Sequence, residues 1–391
     1  MSGEQPDSRQ RVQSGQRFQS GQRFEVIVVG AGIAGAAVAY FLAERGVGDI
    51  VILERETQPG HHATGRSAAS LVELDPIAPV LELKVLGGRF LRQPPAGFAP
   101  RPLLEPSGVL LLFRDAAWDL VSRAAPFFEA AGVRIVLLDP RGARQRVPVL
   151  SGEFDGAAWL PEDGHIDVHE LLSAYLRGAR LRGAVQCMAA EVESICVEGG
   201  RCVGVVTREG ELRSRWVVNA AGAWAGTLGE CAGALSLPLV PHRRTIVTFA
   251  APAGIDASRW PLVVADQDGV YFAPESGGLL ASPMDEEPSS PCDARPDDLA
   301  VAQTMERLGS LAPRLVPQSV RRAWAGLRTF APDRVPVVGA DPRLPGFFWL
   351  AGQGGYGIET SPALGRIAAD LLLEGRTALF DARVLAPQRY A

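Results

Sequence analysis

Lysine is almost missing from this chain: Lys84 is the only one among 39 basic residues, so positive charge rests on arginine. A pyridoxal-phosphate enzyme needs a lysine to hold its cofactor as a Schiff base. Lys84 falls in an ordinary helix-like stretch, Val80 to Phe90, so that class is set aside. Cysteine is scarce and unpatterned. The five thiols (Cys187, Cys196, Cys202, Cys231, Cys292) are odd in number and contain no C-x-x-C pair, which excludes a disulfide frame and a zinc knuckle and leaves incidental thiols. No apolar run approaches the roughly eighteen residues of a membrane span. The N-terminus has no apolar signal core, so a cytoplasmic location is expected. A net charge of −5 argues against nucleic-acid binding, and the G-x-S-x-G frame of acyl-transfer serines is absent. What is present is a globular composition, 47% hydrophobic and 21% charged over 391 residues, enough for two domains with their own cores.

The most informative stretch is FEVIVVGAGIAGAAVAYFLAERGVGDIVILERE, Phe24 to Glu56. Phe24 to Val29 is apolar and β-branched, as a strand buried on both faces should be, and Gly30-x-Gly32-x-x-Gly35 then leads into a helix. Gly30 permits the tight turn, Gly32 lets the backbone approach a pyrophosphate, and Gly35 lets helix and strand pack closely. The helix N-terminus faces the anion. A second strand, Ile50 to Leu53, ends at Glu54, whose carboxylate accepts hydrogen bonds from ribose hydroxyls and repels a 2′-phosphate. NAD and FAD remain; NADP is disfavoured.

Residues 1–23 read as a flexible tail in which QSGQRF, Gln13 to Phe18, is copied at Gln19 to Phe24. Residues 24–75, 151–236 and 332–391 are assigned to the nucleotide domain, and 76–150 with 237–331 to a more antiparallel second domain. Strands at Glu191 to Ile195, Val203 to Thr207 and Trp216 to Val218 return to the first sheet. A last strand, Gly346 to Leu350, and a last helix, Ser361 to Glu374, close the chain.

A second G-x-G-x-x-G runs from Gly352 to Gly357. No second strand with an acid at its tip follows, so a second dinucleotide unit is not expected. A glycine loop ahead of a helix also presents free backbone N–H groups, which suit the pyrimidine carbonyl of a flavin as it gains negative charge. That use selects FAD.

The stretches HHATGRSAAS (His61 to Ser70), GHID (Gly164 to Asp167), NAAGAW (Asn219 to Trp224), WAGLRTF (Trp324 to Phe330) with Pro332-Asp333, and QGGYGIETS (Gln353 to Ser361) resemble the D-amino acid oxidase superfamily of flavoproteins. They are most similar to its D-arginine dehydrogenase-like branch. The resemblance implies an α/β plus α+β architecture, a Rossmann-like FAD-binding domain with an inserted antiparallel-sheet substrate domain. It also implies noncovalent FAD, since no cysteine stands near the flavin-facing segments. Carried over by motif, FAD contacts fall on Gly30, Gly32, Ala34, Gly35, Glu54 and Arg55, and on Ala63, Thr64, Gly65, Arg66, Ser67, Ala68, Ala69 and Ser70. Further contacts fall on Val192, Ala221, Gly222, Gly354, Gly355, Tyr356, Gly357, Ile358 and Glu359.

For the substrate, the resemblance matches Arg328 and Tyr271 to the residues that hold an amino-acid carboxylate, with Arg244 beside them. A guanidinium fork binds a carboxylate bidentately and a phenol adds a hydrogen bond, which orients Cα–H toward flavin N5. The competing use of Arg328 is a salt bridge to Asp333 or another acid. Departures from the branch pattern at Ser70, Asp75 and near Gly108 put an arginine substrate in question. Asp75 or Glu73 could meet a basic substrate side chain, an exposed carboxylate being the commoner fate, and Glu359 either perturbs the flavin potential or points to solvent. Asp167 with Glu170 reads as a helix cap and not as part of a metal triplet with His165 and His169. His61 and His62 lack a third ligand, and no metal is expected.

The expected reaction is oxidation of the Cα–N bond of an amino acid, a D-amino acid in this branch, to an imine that hydrolyses to a 2-oxo acid and ammonia. The electron acceptor is left open among oxygen, a quinone and a dye. With no lysine placed to activate oxygen, a dehydrogenase is expected. Oxidation of a secondary amine or a 2-hydroxy acid, and a noncatalytic flavin-stabilised binding protein, are the alternatives.

Overall fold

The computed structural model describes residues 19–391. Its first sheet grows from the strand Gln22–Val29 (β1), which turns at Gly30 into the helix Ile33–Glu44 (α1) and returns as the parallel strand Ile50–Leu53 (β2). α1 is apolar around its circumference, and ten of its twelve residues are buried. Such a helix has to be covered on every side. It lies between the sheet, the helix Val168–Leu181 and the last long helix of the chain. Gly35 sets this packing: a Cβ there would stand 2.0 Å from the Gly30 carbonyl oxygen.

The sheet has eight strands. Gly210–Asn219 runs parallel to β1 and also pairs with Arg201–Thr207 and Phe347–Ala351, while Val185–Cys187 extends the other edge beyond β2. The tail boundary shifts here. Gln22 and Arg23 already belong to β1, and the Gly21 N–H donates to Glu211 O at 2.8 Å, so the second QSGQRF copy is part of the fold. The first copy lies outside the described residues.

The helix Ala78–Arg92 (α2) packs against the last long helix of the first domain. Residues 78–92 therefore join the nucleotide half, although the sequence boundary assigned them to the other domain. The second sheet is nine-stranded and mostly antiparallel. Its strands include Val240–Phe249 (β3), Val270–Glu275 (β4) and Arg322–Phe330 (β5), with β3 and β5 paired over their whole length. Gly156–Leu160 lies in this second sheet beside Val109–Phe113, so the expected boundary at residue 151 moves beyond residue 160. GAAWL carries no alternation that favours one sheet over the other.

A small three-stranded sheet, Ser70–Leu71, Leu104–Glu105 and Gly164–Ile166, joins the halves. The chain ends on the helix Gly357–Glu374 (α3) and two short 3-10 turns. The Asp167 cap is present: its carboxylate accepts the Glu170 N–H at 2.8 Å. Among the described residues, no helix is long and apolar enough to cross a membrane.

Candidate active site

A cavity of about 280 Å³ opens over the ends of β1 and β2. Gly30, Gly32, Glu54, Arg55, Ala63, Thr64, Arg66, Val192, Ala221 and Gly222 line it. This is where a parallel sheet binds a nucleotide, beyond the carboxyl ends of its strands. Glu54 is buried, and its carboxylate accepts N–H bonds from Ala31 at 2.8 Å and Glu56 at 3.0 Å. Those bonds fix the acid at the strand tip, in the position suited to ribose hydroxyls. The guanidinium of Arg55 stacks on Trp224, 3.7 Å from the ring centroid, and closes the adjacent wall. Ala34 and Gly35 stand inside α1 behind the turn and shape it from there.

Three observations depart from the sequence reading. Thr64 accepts the Ile33 N–H at 3.0 Å, so the loop at residues 61–70 caps α1 from a distance. Cys231 and Cys292 line the cavity, which places two thiols where none was expected. Glu56 lies with His61 and His62 within 4.8 Å, a third group beside the histidine pair. Glu56 accepts from His62 at 2.8 Å and pairs with Arg55, so these groups already satisfy one another.

The loop from Gly65 to Ser70 runs from the cavity to the second sheet. Arg66 donates to Ala294 O and Ala325 O and pairs with Asp293. The Trp324 indole N–H donates to Arg66 O at 3.2 Å. Ser67 accepts the Ala69 N–H, and Ala68 packs with Val72 and Leu74 on the sheet. Beside it, the second glycine loop enters α3. The Gly354 N–H donates to Thr329 O, and a Cβ on Gly355 would stand 3.0 Å from an Arg328 nitrogen. Gly357, Ile358 and Glu359 form the first turn of α3, whose N-terminal amides have no helical acceptors.

The strand period brings the substrate candidates to one face. In β5, Trp324, Gly326 and Arg328 alternate outward on one side, and Ile246 and Arg244 of β3 stand opposite Trp324 and Gly326. Tyr271 on β4 packs into the same cluster as Ile246 and Trp324. Arg328 has no hydrogen-bond or ion-pair partner among the described residues. The Tyr271 and Tyr356 hydroxyls are buried without partners as well. Asp333, the competing acid, is taken by Arg389 at 2.8 Å.

Arg244 is the exception in this group. It is 4% exposed, donates to Asp285 O at 2.7 Å and pairs with Glu286 at 2.9 Å. Burial, and then the neighbouring Arg328, lower its pKa to about 10. Glu286 also holds Arg334.

The acids expected at the surface are inside. Glu73 is buried and pairs with Arg92 at 2.7 Å; Asp75 pairs with Lys84 at 2.9 Å. Glu359 is 4% exposed and lies 3.2 Å from the same lysine. Sequence alone offers no signal for these pairings, because each depends on how α2 packs against the segments around it, α3 for Glu359 and the Asp163 turn for Arg92.

The donors here match a flavin nucleotide: an acid held at a strand tip, a helix N-terminus over a glycine turn, and a second glycine-led helix start at the far end. The family model for FAD dependent oxidoreductases (DAO) matches residues 25–371, and the chain belongs to that family. FAD is its cofactor. The chain is 27% identical over 403 residues to FAD-dependent oxidoreductase domain-containing protein 1 of Bos taurus, covering 90% of this chain and 81% of that one. It is 29% identical over 372 residues to glycine oxidase of Geobacillus kaustophilus (strain HTA426), covering 93% and 95%. The crystal structure of L-proline dehydrogenase from P. horikoshii superposes with a TM-score of 0.86 at 25% identity, over 95% of this chain and 98% of that one.

Proposed function

We propose that the protein oxidises the Cα–N bond of an amino acid with FAD as electron acceptor, and that Arg328 and Tyr271 hold the substrate carboxylate. The observation that carries this is a pair of donors without partners on one sheet face, facing the Gly65 to Ser70 loop and the second glycine loop. The Tyr271 hydroxyl is buried and Arg328 half-buried, and unpaired donors taken out of water cost free energy unless a ligand satisfies them. Arg328 takes the acid group bidentately and the Tyr271 hydroxyl donates a further bond. Arg244, already tied to Glu286, adds positive potential without a free fork.

Bound FAD supplies a two-electron acceptor at N5. The chain's residues anchor the carboxylate, aim Cα–H and exclude water; solvent takes the ammonium proton, so no side chain has to act as base. The imine leaves and hydrolyses to a 2-oxo acid and ammonia. FAD is held without a covalent bond in this reading. Lys84 is engaged by two acids, which supports a dehydrogenase using a quinone or dye over an oxidase.

The D enantiomer follows from the resemblance to D-arginine dehydrogenase-like enzymes. The likeness to glycine oxidase and L-proline dehydrogenase favours a second reading, a glycine or secondary-amine substrate. Anaerobic flavin bleaching by D- and L-amino acids, glycine, sarcosine, proline and 2-hydroxy acids separates these outcomes. With the best substrate, Arg328→Ala should lower kcat/KM by about 100-fold or more. Flavin content should be unchanged, and acid precipitation should release the flavin from both proteins. Unchanged kinetics would defeat the assignment.

A further inference from the structure

The chain's one lysine lies in a charged cluster that this chemistry leaves unused. Lys84 projects from α2 toward α3, its Nζ 2.9 Å from Asp75 and 3.2 Å from Glu359. The second oxygen of Glu359 accepts the Val72 N–H at 2.7 Å. α2 and α3 meet backbone to backbone here, since a Cβ on Gly87 would stand 1.9 Å from the Glu359 carbonyl oxygen. The cluster thus ties the segment after Ser70 to the first turn of α3.

One cation serves two carboxylates, so the fully ionised cluster carries a buried surplus negative charge. Such a charge is costly, and a shared proton relieves it. Asp75 also accepts the Ile77 N–H. Glu359 is the deeper acid, and burial pushes it up to about 7 against the pull of Lys84. Desolvation opposes the charge on Lys84, but Glu359 and Asp75 together keep its pKa above the ordinary lysine value.

We propose that Glu359 is a proton site linked to the redox state of the flavin, taking up one solvent proton when the adjacent ring gains two electrons and releasing it on reoxidation. This rests on the reading that the second glycine loop faces the ring. The balance is complete: the electrons come from the reductant, the carboxylate becomes a carboxylic acid, and no other group changes oxidation state. The added negative charge raises the Glu359 pKa further. Uptake therefore occurs in a window that opens at about pH 7, below which Glu359 is already protonated, and closes at its raised pKa in the reduced protein, above which it stays ionised.

The other charged groups around Glu359 are Lys84, Asp75, Tyr356 and the neighbouring set Glu73, Arg92 and Asp163. Asp163 is the rival proton site, because burial and Glu73 raise it too.

Dithionite titration of the FAD-loaded protein across pH tests this, with the midpoint potential read against indicator dyes and proton uptake read in weak buffer. Chemical reduction keeps the result independent of substrate identity. From about pH 7 up to the reduced-state pKa of Glu359, the native protein should take up more than one proton per two electrons. Glu359→Gln keeps an oxygen for one of the two donors, the Val72 N–H or Lys84, and should take up one fewer; Asp163→Asn should behave as native. If Glu359→Gln loses flavin, Lys84→Met should shift the uptake window to higher pH. A native pH dependence in Glu359→Gln, a loss confined to Asp163→Asn, or an unshifted window in Lys84→Met overturns the proposal.

Discussion

The two G-x-G-x-x-G loops share a spacing and a physical device, a glycine turn that opens a helix, yet their surroundings differ. Around Gly30, the next strand brings Glu54 back to the turn, where it accepts the Ala31 N–H. Around Gly354, the neighbours are Phe330, Arg328 and, one turn into α3, Glu359 with its lysine. In the proposed reading, the first loop meets a diphosphate and a ribose, and the second meets a ring whose charge changes. A motif of glycines thus specifies donors, and the elements that follow specify the ligand.

The sharpest way to break this contrast is to crowd each loop in turn. Gly35→Ala puts a methyl against the Gly30 carbonyl, where neither backbone can yield cheaply, and should cost about 3 kcal/mol or more. Thermal unfolding and flavin content should both fall. Glu54→Gln comes next. It keeps the shape but removes the charged acceptor proposed for the ribose, and isothermal titration should show FAD binding weakened about 10- to 100-fold. Gly355→Ala should be mildest. Its methyl meets an Arg328 nitrogen, which can swing away, so KM should rise less than about tenfold with FAD binding retained. Equal flavin loss in Gly35→Ala and Gly355→Ala would erase the distinction between the loops.

What the sequence made legible is what depends on neighbours in the chain. The β1–α1–β2 unit, the Glu54 tip, the Asp167 cap and the two-domain plan all follow from local spacing. Arg328, Tyr271 and Arg244 came from motif resemblance, and strand alternation puts them on one face. Residues whose partners lie far along the chain were opaque. Thr64 caps α1, Lys84 meets Glu359, and Cys231 with Cys292 borders the cavity only because of tertiary packing. That GAAWL at Gly156–Leu160 joins the second sheet was opaque too, because a short apolar strand satisfies either core equally.

The interior position of Lys84 has a practical side. Amine-reactive dyes, crosslinkers and biotin esters seek exposed ε-amines, and this chain offers a single ε-amine, enclosed between two helices. Such reagents should leave Lys84 of the folded protein unmarked. Modification at Lys84 would then report that α2 and α3 have parted.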